Sequence, residues 1–191
     1  MKREYTVLPF GKKENRVRVV LCRKPMAKGL AGMIRGKCLP HDLAILIDET
    51  ATDDAGYLHA ALVGSGDMVF AIQVIPAVFH GIRRGDAMAR TCLFHELGHY
   101  VHKHLEAPDF QTERYDEERY LYASEGKVIP QEIEADAFAV KYLGCEVVAD
   151  GLSKIRCLHE KSLASGVYDS TETEVAMREL DMRISALKEN A

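Results

Sequence analysis

The hydrophobic pattern changes period along the chain. In its first part the apolar residues come in short runs: RVRVVLC at 16–22 alternates, LAILID at 43–48 is brief and apolar, and MVFAIQVI at 68–75 is rich in branched and aromatic residues. Such runs predict β-strands. Gly64, Ser65, Gly66 and Asp67 interrupt the apolar stretch between 59 and 75, which predicts a hairpin there. From Asp86 onward the spacing is helical. Asp86 is suited to cap a helix running to about Leu105, with Phe94, Leu97, Val101 and Leu105 as its apolar stripe.

Positions 106–128 are polar, acidic and tyrosine-bearing, and read as a surface connection with a short helix around 117–124. Pro130 suits the first turn of a helix that stops at Gly144. Leu152, Ile155 and Leu163 mark another helix. Thr171 with Glu174 forms a capping box for a last one, which carries Leu180, Ile184 and Leu187. The expected fold class is α+β, with a short N-terminal β-sheet and a helical C-terminal part.

Length and charge narrow the picture. A chain of 191 residues, 47% hydrophobic and 28% charged, is long enough for one well-buried domain and short for two, so 1–191 is read as a single domain. The formal charge of −4 comes without a dense basic block, which argues against nucleic acid or an anionic membrane as partner. No run approaches the roughly 18 apolar residues of a membrane helix, and the N-terminus lacks a signal-peptide core. A soluble, cytoplasmic protein is expected. The five cysteines are odd in number and widely spaced, with no Cys-x-x-Cys pair, which fits small thiols in a reducing compartment.

Candidate chemistry concentrates in TCLFHELGHYVHKH, 91–104, which holds four of the eight histidines. His95 and His99 are four apart, so on a helix both imidazoles project from one face and can converge on one ion. Glu96 lies about 100° around the axis, badly placed as a third ligand to that ion and suited to take a proton from a metal-activated water. A shuffled chain of this composition would carry the His-Glu-x-x-His pattern with a chance of about 0.03, so the motif needs support from a third ligand. Gly98, a poor helix former, would let another element approach closely beside the metal. A longer zinc-protease pattern, which requires Gly at 102 and His at 105, fails because those positions are His102 and Leu105.

The third ligand is sought in QEIEADAFAVKYLG, 131–144. Glu132 and Asp136 share a helical face, whereas Glu134 points roughly 200° away from Glu132. A helix packed across the first could offer Glu132 to zinc while Asp136 accepts the other ring N–H of a ligand histidine. The alternative is that these acids merely favour the N-terminal end of the helix dipole. His102 and His104 are left outside the metal's ligand set, and Cys92 is read as a packed thiol. Tyr115, Tyr120, Tyr122, His159 and Tyr168 are all possible stabilisers of an oxyanion. His41, His59 and His80 have no partner pattern.

At these residues the chain resembles zinc metallopeptidases of the gluzincin type, in which His-Glu-x-x-His on one helix is completed by Glu-x-x-x-Asp on a later one. EIEADAFAVKYLG looks like the corresponding segment of the ImmA/IrrE (M78) and M48 peptidases. The resemblance covers about 90–104 and 132–144, and the tail 152–187 more loosely. It departs from M48 members, which commonly have membrane helices, a longer stretch between the motifs and a His-Pro element ahead of a late Arg; STETEVAMREL at 170–180 has neither His nor Pro. The short gap suits the ImmA/IrrE relatives, although their glutamate helix often ends in a Leu-Met-Pro-like string where this chain has YLGC. The resemblance implies a zincin-like fold and a zinc endopeptidase with His95, His99 and Glu132 as ligands, Glu96 as general base and Asp136 as support. A peptide or protein would be the substrate, with 68–75 as an edge strand to which it could add. Two rivals remain: a zinc hydrolase acting on a non-peptide amide, and a regulatory binding module that keeps the zinc fold as scaffold.

Overall fold

The computed structural model describes the backbone at 5–7, 18–22, 42–47, 60–65, 69–104, 112–166 and 170–189; side chains are described from residue 72 onward, except at 83 and 112–114. Five backbone strands are traced: β1 (Tyr5–Val7), β2 (Arg18–Cys22), β3 (Asp42–Ile47), β4 (Ala60–Ser65) and β5 (Val69–Val74). They run in the order β1-β2-β3-β5-β4. β4 and β5 pair antiparallel from Ala60 opposite Val74 to Ser65 opposite Val69, as expected of a hairpin, but Gly64 and Ser65 belong to β4 and are not part of the turn. β5 also pairs with β3, in parallel. Over Ala71–Val74, β5 is therefore flanked on both sides and offers no free edge for an added peptide, which corrects the expectation for 68–75.

The α+β fold class is corrected as well. Among residues described to the side chain, the chain is 86% helical, with one short strand and no sheet, so the fold is mostly helical. The physical reason lies in where the core is built. Among the described side chains, Ile72 and Val74 enter it from a strand, and the others come almost entirely from helices.

Six helices follow. α1 (Pro76–Arg84) precedes the point at which the sequence turned helical; it opens on a proline in its first turn and closes on Gly85 at φ 75°. α2 (Ala87–Val101) starts where Asp86 accepts a hydrogen bond from the Ala89 N–H at 3.0 Å. After it come α3 (Thr112–Ser124), α4 (Pro130–Leu143), α5 (Cys145–Ser165) and α6 (Ser170–Glu189). α6 begins at Ser170, so Thr171 sits inside its first turn instead of capping it.

α2 is buried nearly all round from Ala89 to His99, the signature of a central helix. Phe94 and Leu97 are buried as the stripe predicts, but Val101 is 43% exposed. Leu105 lies outside the described residues. Leu93 and Leu97 pack in one core with Phe79, Phe138, Val148, Leu152, Leu180 and Ile184, which joins α1, α4, α5 and α6 around α2. Among the described residues, no helix is long and apolar enough to cross a membrane.

Candidate metal centre

The site exists because two helices touch at a glycine. A Cβ added at Gly98 would stand 2.7 Å from the Ala135 Cα and 2.9 Å from its carbonyl oxygen, so only glycine permits this approach of α2 to α4. His95 and His99 on α2 then face Glu132 and Asp136 on α4, and all four side chains are buried.

Ligating atoms from His95, His99 and Glu132 lie within 4.8 Å of one another. His95 Nε2 is 3.0 Å from His99 Nε2. Glu132 places Oε2 3.2 Å from His95 Nε2 and Oε1 3.4 Å from His99 Nε2. Zinc bonds of about 2.0–2.1 Å at tetrahedral angles put neighbouring ligand atoms about 3.3 Å apart. The three separations scatter around that value. This buried group could hold a metal ion.

Two of these three side chains, His95 and Glu132, are held from behind. His95 Nδ1 is 2.9 Å from Asp136 Oδ1, an arrangement in which the ring donates its Nδ1–H and keeps Nε2 for a metal. Tyr115 on α3 donates its hydroxyl to Glu132 Oε1 at 2.7 Å. Arg183, buried on α6, donates to Glu132 Oε2 at 2.8 Å, to both oxygens of Asp136 at 2.7 Å, and to Glu179 at 3.3 Å. Arg119 on α3 grips the same Glu179 with a bidentate pair at 2.6 and 3.0 Å. Three carboxylates and two guanidiniums are thus interlocked, leaving one negative charge that a proton on His95 or a bound cation can balance.

The electrostatics follow from this crowding. Burial and Arg183 pull the His95 pKa down, but Glu132 and Asp136 outweigh them and raise it to about 9. Burial lowers His99, and the neighbouring His95 charge adds to that. Two rings 3.0 Å apart can share one proton but cannot both be cations, which accounts for the opposite directions. Burial opposes ionisation of Asp136, yet Arg183 and His95 bring its pKa down to about 2. Cys92, one turn before His95, is a packed thiol that burial pushes up to about 12.

The structure brings together His95, His99, Glu132 and Asp136; Glu96 follows His95 on α2 and is half-buried. Of the oxyanion candidates, Tyr115 reaches the site, Tyr120 is 44% exposed, and Tyr168 lies outside the described residues. His80 is exposed, while His41 and His59 also fall outside the described residues. Sequence reasoning missed Arg183, Glu179 and Arg119. A signal was present: Glu179 and Arg183 interrupt the stripe of Leu180, Ile184 and Leu187, and charges at core spacing need partners. Comparisons with protein-family models, with curated proteins and with solved structures return no match for this chain.

Proposed function

We propose that this protein is a zinc-dependent peptidase of the gluzincin type, similar to the ImmA/IrrE peptidases, that hydrolyses peptide bonds in a peptide or protein substrate. The observation that carries the reading is the agreement of the 3.0, 3.2 and 3.4 Å separations with a tetrahedral zinc ligand set, on a helix that also bears Glu96 directly after the first ligand. His95, His99 and Glu132 would hold the ion. Zinc bound there supplies a Lewis acid that acidifies a water and polarises a carbonyl. Glu96 accepts the proton and delivers it to the leaving amine. Asp136 keeps His95 in the tautomer that presents Nε2. Tyr115, hydrogen-bonded to Glu132, is assigned to positioning it. Cys92, Cys145 and Cys157 are free thiols, which suits a reducing, cytoplasmic setting.

The test pairs metal content with Glu96→Gln. Purified protein should hold about one zinc and cleave members of a peptide library, and Glu96→Gln should keep the zinc and lose cleavage. A scaffold would need the ligands without the base, so cleavage unaffected by Glu96→Gln, or a wild type that takes up no zinc, would overturn the reading.

A further inference from the structure

Among the described residues, no carboxylate backs the Nδ1 of His99 as Asp136 backs that of His95, and His104 stands in its place. His99 Nδ1 is 2.8 Å from His104 Nδ1, and His104 Nε2 is 2.9 Å from Glu134 Oε2. We propose that His104 and Glu134 form a relay that fixes the tautomer of His99 and so sets the strength of the metal centre, with His104 as a positioning residue. The proposal rests on the metal-centre reading above.

One proton assignment satisfies the whole chain. Glu134, an acceptor only when ionised, takes the Nε2–H of His104. His104 then has a lone pair on Nδ1, which accepts the Nδ1–H of His99 at 2.8 Å. His99 is left with a lone pair on Nε2, the atom that faces His95 Nε2 at 3.0 Å and Glu132 at 3.4 Å. Both metal-facing histidines are therefore backed by a carboxylate, His95 directly and His99 through an imidazole.

The backbone is shaped to deliver His104. α2 ends as the His102 N–H bonds to the Gly98 carbonyl, and Lys103 then adopts φ 60°, the one non-glycine residue in the left-handed region among the described residues. A β-carbon there costs of order 1 kcal/mol, a cost borne where a fixed geometry is needed. The turn folds His104 back against His99, at 5.0 Å between ring centroids, with its side chain 8% exposed. His102, which stacks on His104 at 5.6 Å, remains on the surface. Glu134 projects from the face of α4 opposite Glu132 with its side chain 55% exposed, so it reaches His104 from the solvent side.

The test measures zinc affinity by chelator competition in four variants, with the visible spectrum of the cobalt-loaded protein as a second readout. His104→Ala should weaken zinc binding about 10- to 100-fold and shift the cobalt bands. His104→Asn, whose side-chain oxygen replaces Nδ1 as acceptor without needing Glu134, should restore affinity to within about threefold of wild type. Glu134→Gln, a change at an exposed position that leaves the core intact, should weaken binding in the wild-type background. The same change should do nothing in the His104→Asn background. Affinity unchanged in His104→Ala, or an equal Glu134→Gln effect in both backgrounds, would overturn the relay while leaving the metal centre standing. Wild type that binds neither zinc nor cobalt would instead remove the centre and the relay together.

Discussion

Asp136 Oδ1 lies 2.9 Å from His95 Nδ1, a buried pairing between α2 and α4 of residues 41 apart in the chain. The same carboxylate accepts two hydrogen bonds from Arg183, so it cannot rotate away from the ring without breaking both. Asp136→Ala should therefore lower zinc affinity by about 10- to 100-fold, because His95 loses the group that orients it and raises its basicity. Asp136→Asn keeps an oxygen that can accept from Nδ1–H and should lose less than about 10-fold. Chelator competition separates the two. Equal affinity in wild type and Asp136→Ala would show that the ring is oriented by something else.

Gly98 is the steric gate for the helix pair. A methyl group there has no room against the Ala135 backbone at 2.7 and 2.9 Å or against the Phe138 Cβ at 3.1 Å. Backbone cannot swing aside as a side chain can, so Gly98→Ala should push α4 outward and cost about 1–3 kcal/mol despite alanine's better helix propensity. Zinc affinity should fall with it, since His95 and His99 stay on one helix while Glu132 leaves with the other. Urea denaturation and metal titration of the variant check the two effects separately.

What the sequence revealed and concealed has a physical pattern. His95, Glu96 and His99, and Glu132 with Asp136, were legible because each set lies within one helix, where a spacing of four fixes a shared face. Helix ends at Asp86, Pro130 and Gly144 were legible because capping is local chemistry. Arg183 and Arg119 were not, because their roles depend on how α6 and α3 dock, and no short-range period encodes that. His104 was set aside as a ligand, consistent with its place behind His99, but its contact needed the left-handed turn at Lys103, which a lysine does not announce. The fold class erred for a related reason. Short apolar runs predict strands one at a time, whereas the buried core is assembled around α2 by other helices.

The raised pKa of His95 sets the pH dependence of both stability and binding. Its folded value of about 9 exceeds the ordinary histidine value of 6.5, so its proton stabilises the metal-free fold fully below pH 6.5, and that contribution is lost as pH rises through about 9. Asp136 works the other way. With a folded value of about 2 against an ordinary aspartate value of 3.8, its contribution is present above pH 3.8 and lost as pH falls through about 2. From these two groups, metal-free protein should be most stable between about pH 4 and 6.5 and weaken toward pH 9. Zinc binding must expel the His95 proton, so affinity should rise about tenfold per pH unit from 6 to 8. Calorimetry in buffers of different ionisation enthalpy should report about one proton released per zinc at pH 7.

Arg183 is the test of how charge is balanced without metal. It is the buried partner of Glu132, Asp136 and Glu179; Arg119 reaches two of those three, at 3.9 Å from Glu132 and 2.6 Å from Glu179. Arg183→Met preserves much of the apolar stem but leaves Asp136 facing only His95, and should destabilise metal-free protein by about 3–5 kcal/mol. Zinc places two positive charges among the same carboxylates and offsets part of that loss, so the gain in stability on adding zinc should be larger in Arg183→Met than in wild type. Arg183→Lys should recover little, because one ammonium cannot match a planar fork that reaches three carboxylates at once. Thermal denaturation with and without zinc decides the matter: an equal zinc effect in wild type and Arg183→Met would mean that the guanidinium and the ion do not share the task of neutralising Glu132 and Asp136.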